Sequence, residues 1–358
     1  MKEQKYLCLF KEFIEGIDKK DKLALIHHTD ADGVCSAAIV VKALKKLGKP
    51  SPVLLHQENG EISLTNKTIK KLKQLKVNRL IAVDLSLDQR PSNVKKVERF
   101  ASILVLDHHK IYSDLNSRKT VMIKSQMISS VDGSLYPASK LCFDLFSGLI
   151  ELDEAGWIAA VGIIGDNGTK KWKEFILNAM KKEKIKGPIN ESILSRIKFL
   201  IDAVETISFG ELEKVINLMV KAKKPKEMMK KKFLRYGERL EKELDEWISS
   251  FEERAEFFPS KELIYYYIKP IYPIKSPLIN RISFANPGRT VVVVQDLGKG
   301  VIDISARRQD FRVKVNDLLE KATKNLEGSF AGGHIPAAGG KIKKKDLKKF
   351  RKNLLKLL

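Results

Sequence analysis

Cysteine is scarce: among 358 residues only Cys8, Cys35 and Cys142 occur, far apart in the chain. Such isolation excludes a zinc ribbon and a secreted disulfide framework, and makes a reducing cytoplasm the expected home. Long apolar runs are lacking too. No stretch approaches the ~20 residues that span a bilayer, and the N-terminal MKEQKYLCLFKEFIEGI interleaves charges through an amphipathic helical pattern, so neither a membrane span nor a signal peptide is expected. Proline is modest at 12 residues and hydrophobic residues make up 43%, which argues against disorder. Acid is the scarcer charge, 44 Asp and Glu against 67 Lys and Arg, leaving a net charge of +23. A positive field of that size favours polyanions, either nucleic acid or an anionic membrane. The length suits two packed domains. The chain carries no signal for an oligomeric state.

From about residue 22 to 109, short apolar runs alternate with helical periodicity: 23–28, 33–47, 52–55, 66–75, 80–86 and 103–107. Alternation of this kind predicts βαβ units and a parallel sheet, with ligands at the carboxyl edge of the strands. Beyond Asp107 the pattern turns helical, at about 137–149, 153–164 and 190–257. Strand character returns in LIYYYIKP, TVVVVQDLG and KGVIDISARR; a helix at about 313–326 follows, then a loop GSFAGGHIPAAGG. The expected architecture is α/β: a parallel-sheet domain over 1–187, a helical linker over 188–258 and a smaller α/β domain over 259–358. Within the linker, 221–235 holds eight basic residues against one acid, a solvated helix face or a phosphate-tracking surface. The Lys-rich tail reads as an amphipathic helix whose Leu347, Phe350, Leu354 and Leu357 pack on its own domain.

The first apolar run ends in His27-His28-Thr29-Asp30-Ala31-Asp32-Gly33. While the chain stays extended, His28, Asp30 and Asp32 project to one side. Ligand-type groups crowded in this way are costly without a positive charge between them. A divalent metal supplies it, and mixed imidazole and carboxylate donors suit Mn²⁺, with Mg²⁺, Fe²⁺ or Co²⁺ also compatible. Capping of the next helix by Thr29 or Asp30 explains one residue of the set but not the others. A later run ends in IAVDLS with Asp84, and the next in ILVLDHHK with Asp107, His108 and His109. A parallel sheet brings those ends together. Asp166, closing the apolar helix AAVGIIGD, can reach the same edge.

HTDADG, VDLS, DHH and GIIGD, in this order and separation, resemble the motifs of the DHH phosphoesterase superfamily, and SFAGGHIPAAGG resembles the Gly-Gly-His signature of its DHHA1 domain. The resemblance implies a pair of catalytic divalent metals, Mn²⁺ preferred. One would be held by His28 and Asp30, the other by Asp32, His108 and Asp166, with Asp84 bridging. Several bacterial members place the first histidine four residues before the first aspartate, where this chain has Ile26. His28 faces the same side, and His27 stands as the alternative. The roles implied for Asp84, His108 and His109 are catalytic, His109 contacting the scissile phosphate or assisting a proton transfer. A structural role for His109 beside the ligands is the competing reading.

Glycines let backbone amides approach a phosphate, so Gly332, Gly333 and His334 are expected to bind one. Arg307, at the end of IDISARR, resembles the family's phosphate-holding arginine, with Arg308 out of phase. The reading that fits best is a RecJ-like exonuclease of the archaeal helicase- and GINS-associated type, acting on single-stranded DNA or RNA, 3′→5′, in repair or replication. An oligoribonuclease or cyclic-dinucleotide phosphodiesterase is the alternative; a catalytically idle replisome scaffold is a third. A helicase or GINS partner, and no membrane, belong to the same expectation.

Overall fold

The computed structural model describes residues 2–56, 63–166 and 168–358, apart from the side chains of Lys2 and His334. The chain forms two compact units, Met1–Leu234 and Arg235–Leu358. Of the helical stretch expected at 188–258, residues up to 234 fall in the first unit and the rest in the second.

The first unit is built on a parallel sheet of β1 (Leu23–His27), β2 (Val53–His56), β3 (Arg79–Val83), β4 (Ser102–Asp107) and β5 (Thr120–Lys124), in the order β2-β1-β3-β4-β5. β1, LALIH, is buried throughout, as a parallel strand covered on both faces must be. Its helices are α1 (Lys2–Glu15), α2 (Ala31–Lys46), α3 (Asn66–Gln74), α4 (Pro91–Glu98), the short α5 (Ser125–Ile128), α6 (Ala138–Ser147), α7 (Gly156–Gly165), α8 (Lys173–Lys182), α9 (Ile193–Ser208) and α10 (Leu212–Lys221). On one face Ala24, Ile26, Leu80, Ala82, Ile103 and Val105 pack against Ile69 and Leu72 of α3 and Val94 and Val97 of α4. α2 covers the other face, with α6 and α7 stacked on it. Strand order reverses between β1 and β3, so the crevice that opens at the carboxyl ends of an α/β sheet falls after His27 and Val83.

The second unit contains the remainder of α11 (Lys231–Ser249), then α12 (Phe251–Arg254), β6 (Glu256–Phe258), β7 (Leu263–Ile268), α13 (Lys275–Ala285), β8 (Thr290–Asp296), β9 (Val301–Arg307), α14 (Val315–Thr323), β10 (Phe330–His334), β11 (Ala337–Lys343) and α15 (Leu347–Leu357). The strands form one mixed sheet, β10-β11-β9-β8-β7-β6, in which only β7 and β8 are parallel. α14 and α15 cover one face, burying Leu319, Phe350 and Leu354 against Val292, Ile302 and Ile304.

The structure corrects two local expectations. GSFAGGHIPAAGG is a hairpin of β10 and β11 rather than a loop, because β9 offers an edge and every residue of Ala337–Lys343 finds a partner there. α4, β5, α8, β6 and α13 are among the elements additional to those expected, β6 replacing the end of the expected helical stretch. TVMIK is a short run between polar segments, and Pro277 in the first turn of α13 hides a helix that proline tolerates there.

Because Phe350 is fully buried in the second core, Phe350→Ala is expected to cost about 3–5 kcal/mol. A fall of that size in urea-denaturation stability would be seen if the tail packs on its own unit; an unchanged midpoint would contradict it.

Candidate metal centre

Each ligand-type side chain reaches the sheet edge by a different local device. At the end of β1, His27 and His28 part ways. The His27 ring lies against His56, and its Nδ1 is 2.6 Å from the His28 carbonyl oxygen; burial lowers its pKa to about 4. His28 turns into the crevice, its Nδ1 2.9 Å from Asp30 Oδ2 and 3.7 Å from Asp84 Oδ2. Asp30 caps α2, its Oδ1 accepting from Gly33 N at 3.0 Å, while Oδ2 faces His28. The capping and ligand readings of Asp30 are thus compatible, one oxygen for each.

Asp32, in the first turn of α2, is held from outside the motif. Its carboxylate accepts from the backbone N–H groups of Ala138 at 2.7 Å and Ser139 at 3.0 Å, the first residues of α6. A helix N-terminus is a favourable seat for an anion. The glycines nearby serve close approach. A Cβ at Gly162 would lie 2.9 Å from Asp32 Oδ1 and 2.2 Å from Ser139 Oγ, and one at Gly33 would lie 2.4 Å from the His28 carbonyl oxygen.

Asp84 follows β3 in a left-handed conformation, φ 57°, with its N–H bonded to Leu106 O at 2.9 Å. Aspartate tolerates that region better than most residues. The turn puts one carboxylate oxygen toward each group of neighbours. Oδ2 faces His28, whereas Oδ1 lies 3.3 Å from His108 Nε2 and 3.9 Å from His109 Nδ1. His108 Nδ1 lies 3.0 Å from Gly133 O, which suits an N–H there and leaves Nε2 toward Asp84. Asp166, the residue after α7, brings Oδ2 to 3.6 Å from His108 Nδ1.

Among the described residues the candidate ligand atoms fall into three overlapping groups, within 4.8 Å of one another in each: His28, Asp30 and Asp84; Asp32, His108 and Asp166; and Asp84, His108 and His109. Among the described residues, Asp84 Oδ1 and His28 Nδ1 are buried without a well-aligned hydrogen bond. Mixed nitrogen and oxygen donors with unpaired buried atoms fit divalent cations of the Mn²⁺ or Mg²⁺ type.

Asp107 stands apart from these groups. It is fully buried, 2.7 Å from His109 Nδ1 and 2.9 Å from Lys124 Nζ. Lys124, also fully buried, lies 2.9 Å from Asp88 Oδ1 and donates to Lys110 O at 2.8 Å. Burial would raise the Asp107 carboxyl, but His109 and Lys124 outweigh it and hold it well below the usual range. Sequence reasoning missed Lys124 and Asp88, since a lysine at the end of a short apolar run carries no motif. It also missed Glu205 of α9, whose Oε1 accepts from Thr29 Oγ1 at 2.6 Å.

In the second unit Arg307 and Arg308 point to opposite faces. Arg308 is buried, with Nη2 2.6 Å from Glu262 and Nε 2.6 Å from Asp310. Arg307 is half-buried, and its Nε donates to Asn280 Oδ1 at 3.2 Å. Gly332, Gly333 and the His334 backbone lie in β10; the His334 side chain is outside the described residues.

Residues 22–163 match the DHH family, N-terminal domain, and residues 274–358 match the DHHA1 domain. The chain thus carries an N-terminal DHH-family domain followed by a DHHA1 domain, which together take in more than half of it. Its architecture is RecJ-like. RecJ from Thermus thermophilus, solved in complex with Mn²⁺, gives a TM-score of 0.72 at 18% identity over 98% of this chain and 53% of that one, so the chain spans about half of that protein's length. An exonuclease RecJ bound to manganese gives 0.70 at 18% identity, over 99% of this chain and 93% of that one. A pGpG-specific phosphodiesterase, PggH from Vibrio cholerae, gives 0.52 at 14% identity, over 94% and 98%. No curated protein sequence matches the chain significantly. At such identities the likeness is one of fold.

Crowded carboxylates hold protons. Burial, reinforced by Asp30 and Asp32, pushes Asp84 up to about 8, and burial with Asp32 pushes Asp166 up to about 7. For the histidines burial acts downward but is outweighed: Asp30 and Asp84 raise His28 to about 10, and Asp84, Asp32 and Asp166 raise His108 to about 11. A metal must displace these protons. Mn²⁺ affinity is therefore expected to rise with pH between about 6 and 9, with net proton release measurable by calorimetry in buffers of different ionisation enthalpy. The sign for stability follows. All four groups bind protons more tightly folded than unfolded, so the metal-free chain loses stability as pH rises, Asp84 and Asp166 acting between about 4 and 8 and the histidines from about 6.5 upward. A metal-free melting temperature that climbs over pH 5 to 9 would oppose this.

Lys124→Met would leave Asp88 and Asp107 buried beside an apolar group. Breaking one partner of a buried pair costs about 3–5 kcal/mol, and a urea-denaturation loss under about 1 kcal/mol, the scale of an exposed pair, would show the pair to be solvated.

Proposed function

We propose that the protein is a phosphodiesterase dependent on two divalent ions, Mn²⁺ preferred, and that it acts as an exonuclease on single-stranded DNA or RNA, with 3′→5′ polarity. The observation that carries this reading is Asp84, whose two carboxylate oxygens face His28 at 3.7 Å and His108 at 3.3 Å from between the two ligand groups. His28 and Asp30 would hold one ion, Asp32, His108 and Asp166 the other, with Asp84 shared. When bound, such ions supply a water of lowered pKa and neutralise charge on the phosphoryl group.

The chain's own residues do the rest. With Nδ1 donating to Asp107, which outweighs burial and favours the imidazolium, His109 keeps an Nε2–H for the substrate, where it can donate to a phosphoryl oxygen or pass a proton to the leaving group. Asp107 holds the ring in that charge state and direction, and Lys124 holds Asp107. Arg307 offers a guanidinium fork, and Gly332 and Gly333 with His334 offer donors, for a phosphate of the strand. The excess of +23 favours a polymer, since each phosphate contact adds affinity through counterion release. Within 221–235 the cations are exposed, while Ala222, Pro225, Met228 and Phe233 between them are buried. That arrangement supports a phosphate-tracking surface.

The fold likeness to a pGpG-specific phosphodiesterase favours a second reading, hydrolysis of dinucleotides. Mn²⁺ digestion of end-labelled 20-mers of DNA and RNA beside dinucleotides separates the two. Stepwise loss of single nucleotides from the 3′ end is expected; rapid dinucleotide cleavage with an intact 20-mer would favour the second. Asp84→Ala and His108→Ala should each lower the rate on the order of a thousandfold or more. Normal turnover in either variant would refute the mechanism.

A further inference from the structure

Asp32, His108 and Asp166 come from three different elements, yet one short segment reaches the surroundings of all three. Residues 133–139, Gly-Ser-Leu-Tyr-Pro-Ala-Ser, close the connection from α5 and begin α6. The Gly133 carbonyl oxygen meets His108 Nδ1 at 3.0 Å, and the N–H groups of Ala138 and Ser139 reach the two oxygens of Asp32 at 2.7 and 3.0 Å. Pro137 lies against the turn that follows Asp166, where a Cβ at Gly168 would come within 3.3 Å of the Pro137 Cγ. His28 and Asp30 are held differently, by their own 2.9 Å contact and by the bond from Gly33 N to Asp30.

The first half of this segment has little side-chain packing to fix it. Gly133 has no side chain, Ser134 is exposed and Leu135 is 43% exposed. A fastening comes instead from Trp172, the residue before α8. Its Nε1 donates to the Leu135 carbonyl at 2.6 Å, and its ring centroid lies 5.0 Å from that of Tyr136. The Trp172 N–H bonds Gly168 O at 3.0 Å. The turn after Asp166 is thereby tied to the segment that meets His108 and Asp32.

Lys140 fixes the direction of the indole. Its ammonium is nearly buried and stands 4.4 Å from the Trp172 ring centroid, 4.7 Å from that of Phe175 and 5.8 Å from that of Tyr136. Aromatic faces attract a cation. The Asp144 carboxylate accepts from the same ammonium at 2.5 Å and from the Tyr136 hydroxyl. Held in this cage, Trp172 has a single polar atom, and it is aimed at the backbone of the segment. A phenylalanine would also place a ring beside Lys140. What the indole adds is the N–H on Leu135 O.

We propose that Trp172 is a positioning residue: through Leu135 it holds residues 133–139 where Asp32, His108 and Asp166 can close on one ion, and it leaves the ion of His28 and Asp30 untouched. This role presupposes the two-metal reading and deepens it. Partners behind metal ligands typically change affinity by about ten- to a hundredfold when removed.

The test is Mn²⁺ calorimetry on the full chain in two backgrounds, His28→Ala, which keeps Asp32, His108 and Asp166, and Asp166→Ala, which keeps His28, Asp30 and Asp84. Adding Trp172→Phe should weaken Mn²⁺ about tenfold in the first background and leave the second unchanged. Equal losses in both backgrounds, or a lowered melting temperature with unaltered Mn²⁺ affinity, would overturn the role and make Trp172 merely structural. A wild type that takes up no Mn²⁺ would instead sink the two-metal reading. Hydrogen exchange of the metal-free wild type and Trp172→Phe decides the fastening without any ion. Faster exchange at the Ala138 and Ser139 amides, with the interior of α6 unchanged, supports it, and equal exchange at those amides refutes it.

Discussion

Negative charge gathered at one edge of a parallel sheet is the constraint around which the first unit is arranged. Asp30, Asp32, Asp84 and Asp166 converge on His28 and His108 in a region where burial penalises every ionised carboxylate. The surroundings offset part of that penalty. α6 presents its first N–H groups to Asp32, Gly133 fixes one side of His108, and the left-handed turn at Asp84 lets a single carboxylate face both histidines. Without a metal, positive charge among the carboxylates is left to the protons held by His28 and His108, and Asp84 Oδ1 stays buried without a hydrogen bond among the described residues. A site built this way is organised for cations that arrive from solution.

Behind the ligands runs a second layer of the same design. Lys124 sits fully buried between Asp88 and Asp107, and Asp107 in turn orients His109. A buried ion pair contributes little net stability compared with apolar packing, but it allows few alternative arrangements once formed. Its value here is the fixed direction of the His109 ring, with Nδ1 on Asp107. Within the DHH triplet, His108 and His109 both lie in groups of ligand-type atoms, and Asp107 pairs with His109 from the buried side.

The ligand-type residues were legible because a parallel sheet converts sequence adjacency into spatial adjacency. An apolar run followed by Asp or His reads as a strand followed by a group at its carboxyl end, and HTDADG, VDLS and DHH each have that form. The supporting residues were not legible for the converse reason. Gly133, Ala138, Ser139, Lys124 and Glu205 act through a backbone group or a buried side chain delivered from a distant element, and none lies in a pattern of ligand-type residues. The hairpin of β10 and β11 was hidden for a third reason. Its glycines and alanines carry no strand propensity, and they pair because β9 offers an edge.

Periodicity and motif spacing are local properties of the chain, and they were enough for the class of fold, the second α/β unit and the identities of the ligand-type residues. Three choices had to wait for the folded molecule: which of two adjacent histidines enters the crevice, which of two adjacent arginines is buried, and what each oxygen of Asp84 faces. Each turns on the direction of a single side chain. Direction is set by neighbours that the fold brings from far along the chain, such as His56 beside His27 and Glu262 beside Arg308.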